Sequence, residues 1–439
     1  MAPWLIGLIM FLIMMVLVFE GIPIFISMLA CSFVGFAWLY DFNFAMAWNI
    51  FTTYPFQLGA NYNYAVLPMF MLVGSLAGET GIAEGAFKSV HAFLGRIKGG
   101  LLFTVVGANA LFGACSGSSV AGSVVFGKLA MPELEKAGYN RKYSLGCISA
   151  SGALSTLIPP SMGIITFCMI APGSLSVGTA LMCGIIPGIL TAIALCVTVR
   201  IVGAIHKGTL PPGGGPKVPL KEKLLSLRFL IPILLLFGLI IGGTFAGWFT
   251  ATVGGAIGAV ACVIYALFKK MPIKKLVSCM MDAAVMEAGI FVIIVGGQIF
   301  SKFVADTGLA DYLSQAIASL NAPFFIVFFL VILLYVFCGC VMDIIAIIII
   351  TVPVIFPIMT GMGYSPYALI IALCFIAEIA GLTPPIGMNV FATANALRIN
   401  SSEIFKGVVP FFICEILLVL LLGIFPQIAT FLPTLLGAL

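Results

Sequence analysis

Charge is what this sequence has least of. Aspartate, glutamate, lysine and arginine make up 8% of its 439 residues, where a soluble domain carries about 25%. Hydrophobic residues make up 62%, so a soluble globular domain is excluded and a membrane protein with many spans remains. The short alternating segments of a membrane barrel are missing, and apolar runs of about 20 residues stand in their place, which argues for helices. Histidine is almost missing too. His91 and His206 are the two in the chain, both beside basic residues near the ends of apolar runs, which argues against a histidine proton relay or metal chemistry other than sodium. The twelve cysteines form no CxxC; Cys338 and Cys340 are the closest pair. They read as small core residues rather than a disulfide framework or metal site. Lysine and arginine number 20 against 15 acids, an excess that reports membrane topology rather than nucleic-acid binding. No small-residue cleavage site follows the first apolar run, residues 1–19, which reads as a retained helix rather than a signal peptide.

What the chain does have is a run of tiny and hydroxyl residues, Gly113-Ala114-Cys115-Ser116-Gly117-Ser118-Ser119-Val120-Ala121-Gly122-Ser123, with four serines and three glycines. An uninterrupted membrane helix needs no such run; it marks backbone that leaves the helix and lines a cavity. A second break follows at Ser155-Thr156-Leu157-Ile158-Pro159-Pro160-Ser161-Met162-Gly163, where proline lacks an amide donor and pushes its predecessor out of helix. Both features recur about 225 residues on: Ser118 maps onto Asp343 and Pro159-Pro160 onto Pro384-Pro385. Pro132 and Gly138-Tyr139 match Pro357 and Gly363-Tyr364 at an offset of 225, and Gly184 to Pro187 match Gly407 to Pro410 at 223. A duplicated membrane chain with paired broken elements has the pattern of a secondary transporter.

In order, the first half, residues 1–204, has spans at 3–19, 22–40 and 65–83, a helical hairpin at 99–127, a broken helix at 143–172 and a last span at 177–204. Trp38, Tyr40, Trp48, Tyr54, Tyr62 and Tyr64 form a non-cytoplasmic aromatic belt, and Lys88, His91, Arg96 and Lys98 a cytoplasmic interfacial stretch. Residues 205–228 are a basic cytoplasmic linker containing Pro211-Pro212-Gly213-Gly214-Gly215-Pro216 and Lys217. The second half, 229–439, repeats the plan: spans at 229–246, 250–268 and 277–300, an arm at 302–320, a hairpin at 323–357 with its tip at Gly339-Cys340-Val341-Met342-Asp343, a broken helix at 367–398 and a span at 408–425. Bases flank both ends of the first hairpin, so it is re-entrant from the cytoplasm. In this topology Lys302 is the one base outside, and the odd number of spans per half inverts the second half, whose hairpin opens outward.

A half-helix ending inside the membrane exposes amides that favour anions or carbonyls that favour cations. Ser118 or Ser119 is placed to cap the returning helix of the first hairpin, and Asp343 that of the second. Each tip is expected to face the proline break of its own half. Hydroxyls and freed carbonyls would make two oxygen cages suited to sodium, with amide ends holding a substrate carboxylate between them. Each feature has a plainer reading: small residues serve tight helix packing, and Asp343 alone has a reading as a structural cap only, though the cost of a mid-membrane charge favours a specific partner. Glu378 reads either as a lining residue or as part of a buried structural pair. Glu20, Glu79, Asp282, Glu287 and Glu415 read as interfacial or structural. Thr166, Asn389, Thr393 and Asn395 follow the breaks and are open to either substrate contact or packing.

The Gly113-to-Ala121 run, Met131-Pro-Glu-Leu-Glu-Lys-Ala-Gly-Tyr139 and the two double-proline breaks resemble the large membrane (M) subunit of tripartite ATP-independent periplasmic (TRAP) transporters, the DctM-like family of the ion-transporter superfamily. The resemblance covers essentially the whole chain. It implies an all-α inverted-repeat fold of elevator type, with two re-entrant hairpins and two broken helices, in a bacterial inner membrane. It implies sodium-driven uptake of an organic acid such as a dicarboxylate or sialic acid, and no enzymatic activity. It implies a small four-helix membrane subunit, expected as a separate chain, and a periplasmic substrate-binding protein. Carried over residue by residue, one sodium site falls at Ser116, Ser118, Ser119 and the break from Pro160 to Gly163, the other at Gly339, Asp343, Gly381, Thr383 and Met388. Ser116, Thr166, Asn389 and Thr393 are the substrate-facing candidates. The nearest rival is a stand-alone ion-coupled organic-anion symporter needing no binding protein. A membrane hydrolase is disfavoured because no membrane histidine stands near the serines to activate one, and a channel because inverted broken helices favour alternating access.

Overall fold

The apolar runs of the sequence fold into helices throughout, and no strand occurs among the described residues. The computed structural model describes residues 2–211, 219–320, 322–340, 342–385 and 387–439. The glycine-proline run at 212–216, Lys217 and Val341 of the second tip lie outside the described residues. Among the described residues five helices are long and apolar enough to cross a membrane, or up to eight if each bent pair counts as one span.

The expected spans appear as Pro3–Phe19, Ile24–Leu39, Val66–Glu79, Val177–Ile205, Ala251–Phe268, Ile273–Thr307 and Ser401–Ile424. Five helix starts recur at matching places: Gly100, Ser119, Arg141, Met162 and Val177 return as Phe324, Ile344, Pro366, Met388 and Ser401, each 224 to 226 residues later. The first hairpin is a packed pair, Gly100–Ser116 and Ser119–Lys136; the second is Phe324–Gly339 with Ile344–Gly361. The broken helices are Arg141–Leu157 with Met162–Ile170, bent by 47°, and Pro366–Ala380 with Met388–Leu397. Both proline pairs, Pro159-Pro160 and Pro384-Pro385, carry a cis peptide bond.

Some elements depart from expectation. Residues 44–59, read as an aromatic segment, form a helix, Phe44–Gly59, started by the Asn43 side chain, which accepts from the Met46 amide. A further helix, Gln427–Leu435, follows the last span and packs against Val177–Ile205. The span expected at 229–246 is interrupted by a π-helical turn at Gly238–Gly242, where glycines weaken the α-helix. The arm expected at 302–320 starts later: the preceding helix runs on to Thr307, stops at the left-handed Gly308, and the arm is Leu309–Ser319. The stretch from Lys88 to Lys98 begins in a helix, Ile82–Leu94, bent by 63° from the helix before it.

The core lies around Pro366–Ala380, whose residues from Ala368 to Ala380 are all buried. The two halves meet closely where Arg141–Ser151 packs on Ser401–Ile424. Gly146 there rests on the backbone of Gly407 and Val408, and Gly407 rests on the backbone of Lys142. Small residues allow two helix backbones this close, which is how membrane helices gain dispersion contacts without a hydrophobic drive. A Cβ at Gly146 would run into the Gly407 carbonyl group and come within 2.7 Å of Val408 N. Gly146→Ala is therefore expected to destabilise the protein by about 1–3 kcal/mol, seen as a lower unfolding temperature in detergent; an unchanged transition would refute this packing.

Candidate functional site

Four helices begin at one place inside the protein. Gly100–Ser116 ends at Gly117, which takes φ +60, and the chain turns extended at Ser118. The Ser118 hydroxyl accepts from the Ala121 amide at 3.3 Å and starts the return helix. In the second pair Asp343 does the same, accepting from the Ala346 amide at 2.7 Å. After the first proline pair, Ser161 accepts from the Ile164 amide at 3.2 Å and starts Met162–Ile170. After the second, Gly387 in the left-handed region starts Met388–Leu397 without a side-chain cap. These caps satisfy one of the free amides each helix start leaves.

Each tip faces the break of its own half, as expected. A Cβ on Gly117 would lie 2.7 Å from the Pro160 carbonyl oxygen, so only glycine fits. Gly339 packs directly on Ala380, and Cys340 Sγ lies 3.5 Å from Thr383 Oγ1. Between tips and breaks lies a cavity of about 260 Å³. The first two residues of all four helices line it: Ser119 and Val120, Met162 and Gly163, Ile344 and Ile345, Met388 and Asn389.

Seven of the sodium- and substrate-site candidates line this cavity: Ser118, Ser119, Gly163, Asp343, Gly381, Met388 and Asn389. Six others stand behind the lining. Ser116 is buried with its hydroxyl unpartnered and its carbonyl against Gly74. Pro160 backs Gly117, and Gly339 and Thr383 join the second tip to its break. Thr166 is buried with a free hydroxyl. Thr393 donates to the Asn389 carbonyl at 2.8 Å and packs near Ser149. Asn395 is exposed.

The lining also carries a network that sequence reasoning did not assemble. Glu378, 2% exposed, accepts from Thr156 Oγ1 at 2.7 Å on one carboxylate oxygen and from Asn389 Nδ2 at 2.6 Å on the other. Asn389 Oδ1 in turn accepts from the Ser119 hydroxyl at 3.2 Å. Both carboxylate oxygens are therefore hydrogen-bonded, and Asn389 links the Ser119 hydroxyl to the acid. Thr156 and Ser119 come from the first half, Glu378 and Asn389 from the second, so the acid ties the two halves together. A charged residue within membrane sequence was the available signal; its partners, 222 residues away in one case, were not readable. With Asp343, the cavity holds two acids and no base among its described lining residues. The amide ends add partial positive charge at the same place.

Thr156→Val keeps the shape and removes one donor, leaving a buried carboxylate oxygen unpaired. The expected cost is about 1–3 kcal/mol of stability, read by thermal unfolding, with Thr156→Ser restoring most of it. Equal stability of all three proteins would show that the bond contributes nothing.

Comparison with known proteins agrees with this architecture. The family model described as tripartite ATP-independent periplasmic transporter, DctM component, matches residues 11–428. The chain is 30% identical over 370 residues to the uncharacterized protein YgiK of Salmonella typhimurium, covering 84% of each chain. It is 28% identical over 384 residues to the C4-dicarboxylate TRAP transporter large permease protein DctM of Pseudomonas aeruginosa, covering 87% of this chain and 88% of that one. Among solved structures, the Alcanivorax borkumensis YdaH transporter, described as having an unusual topology, is similar in fold, with a TM-score of 0.63 over 86% of this chain and 88% of that one at 16% identity. A match over nearly the whole length, on a chain of membrane-length helices, decides the matter: the chain belongs to the DctM component family of TRAP transporters, and is a multi-pass inner-membrane permease rather than an enzyme.

Proposed function

We propose that this permease imports a small organic acid, such as a dicarboxylate or sialic acid, by sodium-coupled elevator transport. The observation that carries the reading is the convergence of four helix starts and two acids, with no base among the described lining residues, on one cavity. Two carboxylates repel an anionic substrate, while four amide ends attract it. A site with both is suited to an anion that enters only with cations. Asp343 and the hydroxyls of Ser118 and Ser119 offer hard oxygen ligands of the kind monovalent cations take. The unpartnered Ser116 hydroxyl adds one more oxygen beside the first tip. Sodium bound there would neutralise acid charge and so raise the affinity for a carboxylate.

The helix pairs and broken helices would move as one block against the remaining spans, the pairs being re-entrant, the first from the cytoplasm and the second from outside. The positive-inside bias of the bases supports this orientation. The acid would be delivered by a periplasmic binding protein, and a separate small four-helix subunit would complete the membrane complex. The tripartite character of the family supports both partners.

Reconstitution in proteoliposomes with the small subunit, under an inward sodium gradient and with or without the binding protein, tests this reading. Uptake is expected to need both sodium and the binding protein. Uptake with sodium alone would instead favour a stand-alone symporter, and indifference to sodium would remove the cation role. Asp343→Asn and Ser118→Ala each remove a cation ligand, so half-activating sodium should rise at least about tenfold in folded protein. Unchanged sodium activation in both variants would sink the assignment.

A further inference from the structure

A second cavity, of about 450 Å³, lies at the start of two long helices, Val177–Ile205 and Ala251–Phe268. Unlike the central cavity, it is neutral. The described residues lining it include no acid and no base. Among the described residues the amides of Val177, Gly178, Ala251 and Thr252 have no hydrogen-bond acceptor, because Ser176 and Thr250 cap only the Thr179 and Val253 amides. Two buried threonines also line the cavity. Thr179 and Thr252 are each 8% exposed and line it, and neither hydroxyl makes a hydrogen bond among the described residues. Both are one turn or less from the helix start, where partial positive charge is greatest. Leu175, Met182, Phe245 and Phe249 supply an apolar wall.

The position of this cavity follows from charge. Val177–Ile205 carries Arg200 near its far end, followed by His206 and Lys207, and Ala251–Phe268 is followed by Lys269 and Lys270. Basic ends stay in the cytoplasm, so the opposite ends, and the cavity with them, face outward. The half-helix Met162–Ile170 links the two cavities: Met162 and Gly163 line the central one and Met169 lines the outer one. At 1.5 Å per residue they are roughly 10 Å apart. The Met169 carbonyl is held by Gln298 Nε2 at 2.7 Å, which fixes this end of the half-helix.

We propose that the outer cavity is a landing site for the substrate carboxylate, occupied before the central cavity admits it. Free amides and hydroxyls give hydrogen-bond donors without the acid charge that bars the centre to an unaccompanied anion. The wall of Leu175, Met182, Phe245 and Phe249 suits a short carbon chain. The role in transport rests on the organic-acid reading above; the binding of a carboxylate does not.

Two measurements on the full complex separate these. The first is a crystal of the complex soaked in bromosuccinate, with bromine located by anomalous scattering. Bromine is expected in the outer cavity of the wild-type protein and not in the Thr179→Val, Thr252→Val double variant, with Thr→Ser at both positions restoring it. An empty outer cavity, or bromine equally present in the double variant, overturns the site whatever transport shows. The second is uptake. The double variant should raise half-saturating substrate about tenfold while maximal rate and sodium activation stay within about twofold of wild type. Bound bromosuccinate with unchanged half-saturation would overturn the landing role. A complex that carries no organic acid at all would overturn the transport reading while leaving the soak to decide the site.

Discussion

A helix that starts inside a membrane protein leaves amides with no partner in the chain above them. Four helices here start around one cavity, and the rest of the molecule is arranged to make that tolerable. Ser118, Ser161 and Asp343 each accept one amide at their own helix start. The amides that remain face the cavity, where a polar ligand can take them. The tips then need a close fit against the breaks: Gly117 lies on the Pro160 carbonyl and Gly339 on Ala380. The same small residues that open the helix allow the backbone to close the gap around it.

The duplication is not symmetrical at the centre. Ser118 and Asp343 occupy matching places and play the same capping role, yet one is neutral and the other can carry charge. Glu378 has no acidic counterpart in the first half, since the matching position is Ala153. It is held instead by Thr156 from the first half and by Asn389 from the second, with Ser119 behind Asn389. The acid therefore fastens two copies of one plan to each other. Glu378 has a hydrogen-bond partner on each carboxylate oxygen. Glu415 contrasts with it: fully buried in Ser401–Ile424, with both carboxylate oxygens unpartnered.

Charge also separates the two cavities. The inner one holds Asp343 and Glu378; the outer one has donors without acids among its described lining residues. A carboxylate meeting them in order would pass from a neutral donor-lined surface to one where its charge must be balanced. Met162–Ile170 spans the interval, so the geometry of one cavity is tied to that of the other.

Much of this was legible without coordinates because it is local chemistry. Hydropathy marked most spans, proline pairs marked the breaks, and Ser118 and Asp343 stood where a returning helix needs a cap. The 225-residue offset joined them into two matching halves. What sequence could not decide was which side of an apolar helix faces inward. A helix that is hydrophobic all round has no periodic stripe to read. Thr166 and Thr393 therefore looked as available to a substrate as Asn389, yet only Asn389 reaches the cavity. For the same reason Glu378 could be read as lining or as structural, and it is both. Its partners lie 222 and 11 residues away, and only the packing of the two halves brings them together. Sequence by itself determined where the helices break; tertiary structure decided which polar groups those breaks present to one another.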